Sequence, residues 1–173
     1  MRNLLYLLVF LGCLTSCSKH NEYLVRVPEA TASYSDGPYA YVNQNGDTIV
    51  PNDKYVFFYT DTIFHVGFVV NQKSQLIGIN TKGEELFEVF VYDNGPDYPS
   101  EGLFRILENG KIGYANENGN VIIKPQYSCA FPFENGKAKV SFKCDEVRQG
   151  EHFVWKSEDW FYIDRNNNKL TTE

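Results

Sequence analysis

An all-β fold, made of antiparallel hairpin and meander repeats stacked into one domain, is predicted by three observations. Asn-Gly recurs at 45 and 46, 94 and 95, 109 and 110, 118 and 119, and 135 and 136. Between apolar segments that dipeptide is the strongest short-range hairpin signal, because a type I′ turn needs positive φ at both central residues. At 94 and 95 the following Pro96, which cannot donate to a ladder, makes an open loop the expectation. Aromatic and β-branched residues alternate with polar ones between these pairs, the period of a half-buried strand. No window of a dozen residues carries apolar positions at i, i+3, i+4 and i+7 between a capping residue and a terminal Gly, so helices are not expected.

Residues 1–16 hold one charge, Arg2, then an apolar run over 4–14 and the small polar pair Thr15 and Ser16. That is the layout of an export signal. The apolar run of 11 residues falls short of the roughly 20 that a helix needs to span a ~30 Å hydrocarbon core, which argues against a permanent transmembrane helix. Leu14, Thr15, Ser16 and Cys17 resemble a bacterial lipobox, and all four positions fit. The resemblance implies cleavage before Cys17, which becomes the acylated first residue. At ~0.8 kcal/mol per buried methylene, two or three acyl chains hold it to a membrane essentially permanently. The expected location is therefore the bacterial cell envelope, at the outer membrane, with the membrane face left open. Cys13, preceded by Phe10, Leu11 and Gly12, is the poorer alternative.

Residues 17–35 form a polar, mixed segment broken by Pro28, read mainly as a tether in which 23–27 can add a strand. Residues 36–173 are read as the β-repeat domain. Within it one phrase recurs. Tyr39, Ala40, Tyr41, Val42 and Asn43 lead to Gly46 and Ile49; Ile77, Gly78, Ile79 and Asn80 lead to Gly83 and Leu86. Ile112, Gly113, Tyr114, Ala115 and Asn116 lead to Gly119 and Val121; Trp160, Phe161, Tyr162, Ile163 and Asp164 lead to Asn167 and Leu170. The second position falls at 40, 78, 113 and 161, spacings of 38, 35 and 48, the last widened by an insertion over roughly 143–158. A second phrase, 101–106, returns at 135–140 with its glycines 34 residues apart. Units this small cannot bury their own apolar faces, so neighbours must stack. The small residue at 40, 78 and 113 is expected to allow close backbone approach.

These residues resemble the WG-repeat proteins, whose unit reads as Trp-Gly, an aromatic, an apolar residue and Asn or Asp, then Gly, and later Pro, Tyr and a Gly-containing strand. Residues 112–140, with Pro125, Tyr127, Phe131 and Gly136, match best, and about 3.5 units cover most of 39–170. The chain departs from the pattern in having Tyr39, Ile77 or Ile112 where the family has Trp; its one leading Trp, Trp160, precedes Phe161. The resemblance implies a β-repeat interaction scaffold.

Charge and motifs narrow the function class. Over 173 residues, 16 basic residues stand against 22 acidic, a formal charge of −6. No basic run occurs, so nucleic acid is not an expected partner. No glycine-rich phosphate loop, nucleophile elbow, HExxH or CxxC occurs, and no catalytic, cofactor or metal site is expected. Of the three histidines, His20 lies in the tether, His65 in the strand-like stretch 62–70 and His152 in the insertion, with no partner at metal-ligand spacing. The acidic loop 93–97 lacks the spaced donors of a calcium loop.

Cys129 and Cys144 flank the hairpin at Asn135 and Gly136. A two-residue turn there pairs 129 with 142, so a disulfide needs a bulge or a longer turn, and two free thiols remain the alternative. Thr48 and Thr62, each preceded by Asp and followed by Ile, resemble an O-glycosylation acceptor of some Gram-negative envelopes. Finally, of 12 Tyr, 13 Phe and 2 Trp most are expected in the core, because half-buried strands prefer such residues. An excess on one open face would make a platform for another envelope protein or a glycan. His152, Trp155 and Trp160 in and beside the insertion are the candidate binding surface.

Overall fold

The computed structural model of the chain describes residues 22–28, 39–150 and 152–171. Residues 1–16, read as an export signal, and Cys17 and His20 lie outside them. Every regular element among the described residues is a β-strand.

The strands group into four successive three-stranded antiparallel meanders. The first is β1 (Leu24–Pro28), β2 (Tyr39–Val42) and β3 (Thr48–Val50). Two short strands, β4 (Phe57–Phe58) and β5 (Thr62–Ile63), precede the second meander of β6 (Gly67–Val70), β7 (Leu76–Ile79) and β8 (Glu85–Val89). The hairpin β9 (Val91–Tyr92) and β10 (Gly95–Pro96) leads to the third, β11 (Leu103–Glu108), β12 (Lys111–Asn116) and β13 (Val121–Tyr127). The short β14 (Cys129–Ala130) precedes the fourth, β15 (Ala138–Ser141), β18 (Phe161–Ile163) and β19 (Lys169–Leu170). The hairpin β16 (Asp145–Gln149) and β17 (His152–Lys156) is inserted inside this last meander. Pairing of β8 with β11 fuses the second and third meanders into one seven-stranded sheet, β13-β12-β11-β8-β7-β6-β4. The outer meanders form sheets β3-β2-β1-β5 and β14-β15-β18-β19.

One loop explains why the recurring phrase ends in Asn or Asp. At 43–47, 80–84, 116–120 and 164–168 the residue closing the second strand turns its Oδ1 back over the loop. That oxygen accepts backbone N–H bonds of 2.8–3.1 Å from the residues two and four positions on. The backbone closes the same loop each time, for example Asn116 N to Asn120 O at 2.9 Å and Gly119 N to Asn116 O at 2.9 Å. The fourth residue is left-handed, Gly46 at φ 86°, Gly83 at 73°, Gly119 at 83° and Asn167 at 67°, the conformation that Gly and Asn tolerate best. Asx side chains compete for backbone N–H groups in this way wherever helix and ladder partners are absent. A fifth loop of the same build, 71–75 with Ser74 at φ 62°, joins β6 to β7 and carries no sequence phrase that announces it.

Four of the five Asn-Gly pairs therefore divide into two kinds. Asn109-Gly110 and Asn135-Gly136 have positive φ at both residues, as a type I′ turn requires. At 45 and 46 and at 118 and 119 only the glycine is left-handed, within the Asx loop. Asn94-Gly95, expected as an open loop because of Pro96, is a tight hairpin shifted by one residue. Asp93 at φ 48° and Asn94 at 66° make the turn and Pro96 pairs with Val91. Proline is tolerated because this two-stranded ribbon asks for no further partner. The strand expected over 62–70 is broken at 64–66, leaving His65 exposed in a bend. Part of the segment read as tether joins the body, since β1 pairs with both β2 and β5.

Burial is shared between neighbours. Leu24, Tyr41 and Val50 of the first meander pack with Val69, Ile77 and Ile79 of the second. Leu76 and Val89 of the second pack with Phe104, Ile106 and Ala115 of the third. Leu103, Ile112, Tyr114 and Ile123 of the third pack with Ala138, Val140 and Ile163 of the fourth. This nearest-neighbour core is what stacked repeats need. Tyr41 and Tyr114, at the same phrase position, are fully buried. Each donates its hydroxyl to a backbone oxygen, Thr60 O at 2.5 Å and Phe131 O at 2.7 Å, and burial pushes both phenols well above 10.0. Close backbone approach is real at Gly113, where a Cβ would lie 2.4 Å from Ile123 O and 2.5 Å from Pro125 N. At Gly78 the space is filled instead by the Phe87 ring, 2.5 Å from such a Cβ.

Candidate functional site

Two hairpins leave the repeat frame, and both rise beside the same surface. β9 and β10 grow from between the adjacent strands β8 and β11, and β16 and β17 from between the adjacent strands β15 and β18. Between them lies a groove of about 680 Å³. Val91, Tyr92 and Asp93 form one wall, Glu146, Val154 and Trp155 the other, with Tyr98 and Phe131 on the rim.

The floor is a buried ion pair. Arg105 on β11 and Asp97 just after β10 have side chains 4% and 3% exposed. Nε and Nη2 of Arg105 donate to the two carboxylate oxygens at 2.8 and 2.5 Å, and Nη1 donates to Ala130 O at 3.2 Å. The Asp97 Oδ2 also accepts the Arg105 backbone N–H at 2.9 Å. The guanidinium lies 4.1 Å from the Phe90 ring centre and 5.7 Å from that of Tyr92, so a bidentate pair is capped by aromatic faces. Both oxygens of Asp97 are thus committed to holding the floor together. Sequence reasoning saw Asp97 only as part of an acidic loop. The available signal was Arg105 itself, a cation set between Phe104 and Ile106 in an apolar strand, at the position that Lys139 holds in the second copy of its phrase.

An aromatic chain fixes the insertion hairpin over the body. Trp155 meets Phe90 edge-on at 5.8 Å and Phe131 at 5.5 Å, and Trp160 meets Phe131 at 5.4 Å. Lys139 Nζ stands 4.9 Å from the Trp160 ring centre. At the foot of the hairpin Cys129 and Cys144 are joined by a disulfide, with Cα atoms 6.0 Å apart. The turn at 135 and 136 does carry a bulge, through Phe131, Pro132 and Phe133, but this moves the partner of Cys129 to Ser141. The chain then bends at 142 and 143, where the Ser141 hydroxyl bonds both the N–H and the carbonyl of Lys143, and this bend returns Cys144 to Cys129. The other hairpin is steadied by Tyr59, whose hydroxyl donates to Asn94 O at 3.1 Å.

Of the sequence-derived candidates, the structure brings Trp155 into the groove and sets Trp160 beside it, against Phe131 but outside the lining. The His152 backbone pairs with Gln149 next to the hairpin turn, and its side chain lies outside the described residues. Thr48 is exposed on β3, whereas Thr62 is half-buried on β5 opposite Val25. Among the described residues no cluster of three His, Cys, Asp or Glu side chains is placed to hold a metal. Three exposed aromatic side chains stand at the groove, Tyr98 at 79%, Tyr92 at 59% and Phe131 at 40%, while Phe57, Tyr59, Phe64 and Phe142 are exposed outside its lining.

A family profile described as WG containing repeat matches residues 79–111 and 112–143. The second match opens at Ile112, the start of the best copy of the phrase, and the pair spans the third meander and the groove floor. No curated protein and no solved structure matches the chain. The described residues are all-β, and 79–143 are similar to WG-type repeats.

Proposed function

We propose that the chain is a non-enzymatic β-repeat scaffold, tethered by lipid on Cys17 to the outer membrane of a bacterial envelope, that binds another envelope protein. The observation carrying this reading is the convergence of the two non-repeat hairpins on one groove at which Tyr92, Tyr98 and Phe131 are left uncovered. Exposed apolar surface gathered in one place, rimmed by polar residues, is characteristic of protein-binding sites. Asp97, the buried carboxylate of that groove, is spent on Arg105, which leaves it poorly suited to proton transfer.

Two experiments test the proposal. A photoreactive residue at Tyr98 should crosslink a discrete protein in whole envelopes, and the adduct should vanish in the Trp155→Ala variant while a photoreactive residue at Thr48 gives none. Absence of any Trp155-dependent adduct overturns the binding role. Cys17→Ala should release the protein from membranes; a variant that stays bound overturns the anchor. The exposed tyrosines also favour a second reading, a glycan-binding lipoprotein, which a glycan array showing Trp155-dependent retention would establish in place of the first.

A further inference from the structure

We infer that the groove receives an extended segment of a partner protein in which a Lys or Arg side chain is flanked by apolar residues. This rests on the reading of the chain as a protein-binding module and names the chemistry of what is bound.

The argument is one of charge and of which groups remain free. Within the groove, Arg105 is neutralised by Asp97, its donors go to Asp97 and Ala130 O, and the Ser100 hydroxyl donates to Phe133 O at 2.5 Å. Two formally charged side chains of the lining are then left, and both are acids. Asp93 sits in the turn of one hairpin, and Glu146 stands on the other, directly across the ladder from Trp155. Both are exposed, and neither has an ion-pair or hydrogen-bond partner among the described residues. One free carboxylate thus rises on each wall of a trough lined by Tyr92, Tyr98, Phe131 and Trp155.

Aromatic faces with adjacent carboxylates recognise a cation on an apolar stem. The ring quadrupole and the carboxylate both attract the positive head, and the methylenes of Lys or Arg cover the ring. The site already performs this chemistry on its own residues, with Arg105 over Phe90 and, next to the groove, Lys139 over Trp160. An uncharged sugar fits less well, because Arg105, Asp97 and Ser100 are already committed and the two free carboxylates can accept but not donate, so its hydroxyls meet few donors. The volume is also right for a few side chains of an extended strand, since ligand clefts run from about 300 to 1,000 Å³. The acidic balance of the whole chain, −6, steers such a segment inward.

The test pans a display library of random octapeptides against the purified full chain, with the disulfide intact. The expected result is a pool enriched several-fold in Lys or Arg beside aliphatic residues. Its members should lose at least tenfold in affinity to the Asp93→Asn, Glu146→Gln double variant and to Trp155→Ala, and should weaken as salt is raised. Both acids are exposed, so the double variant is expected to keep the wild-type melting temperature, which is measured alongside. A pool without cation enrichment, binding indifferent to the double variant, no pool, or Trp155-dependent binding of oligosaccharides instead would each overturn the inference. A Tyr98 crosslink to a protein that survives the double variant would overturn it alone and leave the protein-binding role standing.

Discussion

The links between second and third strands of the four meanders are all alike, and the links between first and second strands are not. The former are the Asx loops at 43–47, 80–84, 116–120 and 164–168, each closed by its own side chain and backbone. The latter include an Asx loop at 71–75, a type I′ turn at Asn109-Gly110 and the β16–β17 hairpin. The lesson is that a loop whose polar groups are satisfied from within has nothing left to offer a ligand. The groove arises where the frame admits extra chain, between β8 and β11 and between β15 and β18. Fold and binding surface are thereby divided between regions that tolerate different changes.

The sharpest way to break this division is at the floor, where frame and groove meet. Asp97→Ala leaves the Arg105 guanidinium buried without its partner and should cost about 3–5 kcal/mol, read by chemical denaturation, whereas the Asp97→Leu, Arg105→Met pair should recover most of it. Cys144→Ala should cost about 3 kcal/mol on the chain-entropy account for a bridge spanning a separation of 15 residues. Limited proteolysis should then cut within 145–156 before it cuts the frame. Within the frame, Gly113→Ala forces a Cβ against backbone and should cost about 1–3 kcal/mol. Gly46→Ala meets no atom within 4 Å and should cost about 1 kcal/mol for its left-handed φ alone.

Asn116→Ala, which removes the one oxygen that accepts two backbone N–H bonds in its loop, should cost about 1 kcal/mol and leave peptide binding unchanged. The smallest effect concerns the buried phenols. Their burial holds Tyr41 and Tyr114 protonated beyond 10.0, so above that pH the unfolded chain loses protons that the folded chain keeps. Stability is then fully present below pH 10.0 and falls as pH rises further. Melting temperature should be flat from about pH 7 to 9 and decline above 10, with Tyr114→Phe lowering stability by about 1 kcal/mol at neutrality and flattening the alkaline decline.

The frame was legible because it is written locally. Alternation, the Asn or Asp at 43, 80, 116 and 164, and the Gly four-residue loop end each act within a few residues, and their recurrence set the period. What failed was local chemistry with two solutions. Asp93 and Asn94 share with Asn94 and Gly95 the capacity for left-handed φ, and only the ladder to Val91 decides which pair turns. The groove was largely illegible for a different reason. Phe90, Arg105, Phe131 and Trp155 come from four segments, and nothing in their spacing says that they meet. Trp155 was identified because the insertion broke the period, which is itself the one sequence mark of the site.

Strand β1 lies inside its sheet, laddered on one side to β2 and on the other to β5, and Arg26 adds a bond to Phe58 O at 2.6 Å and an ion pair with Asp61. Tension applied to the chain before Leu24 runs along the axis of this strand. Both antiparallel ladders are then loaded in shear, every bond sharing the force, and none is peeled open singly. A pull from that end would have to slide a strand out from between two neighbours before the groove, at the far meanders, felt any strain.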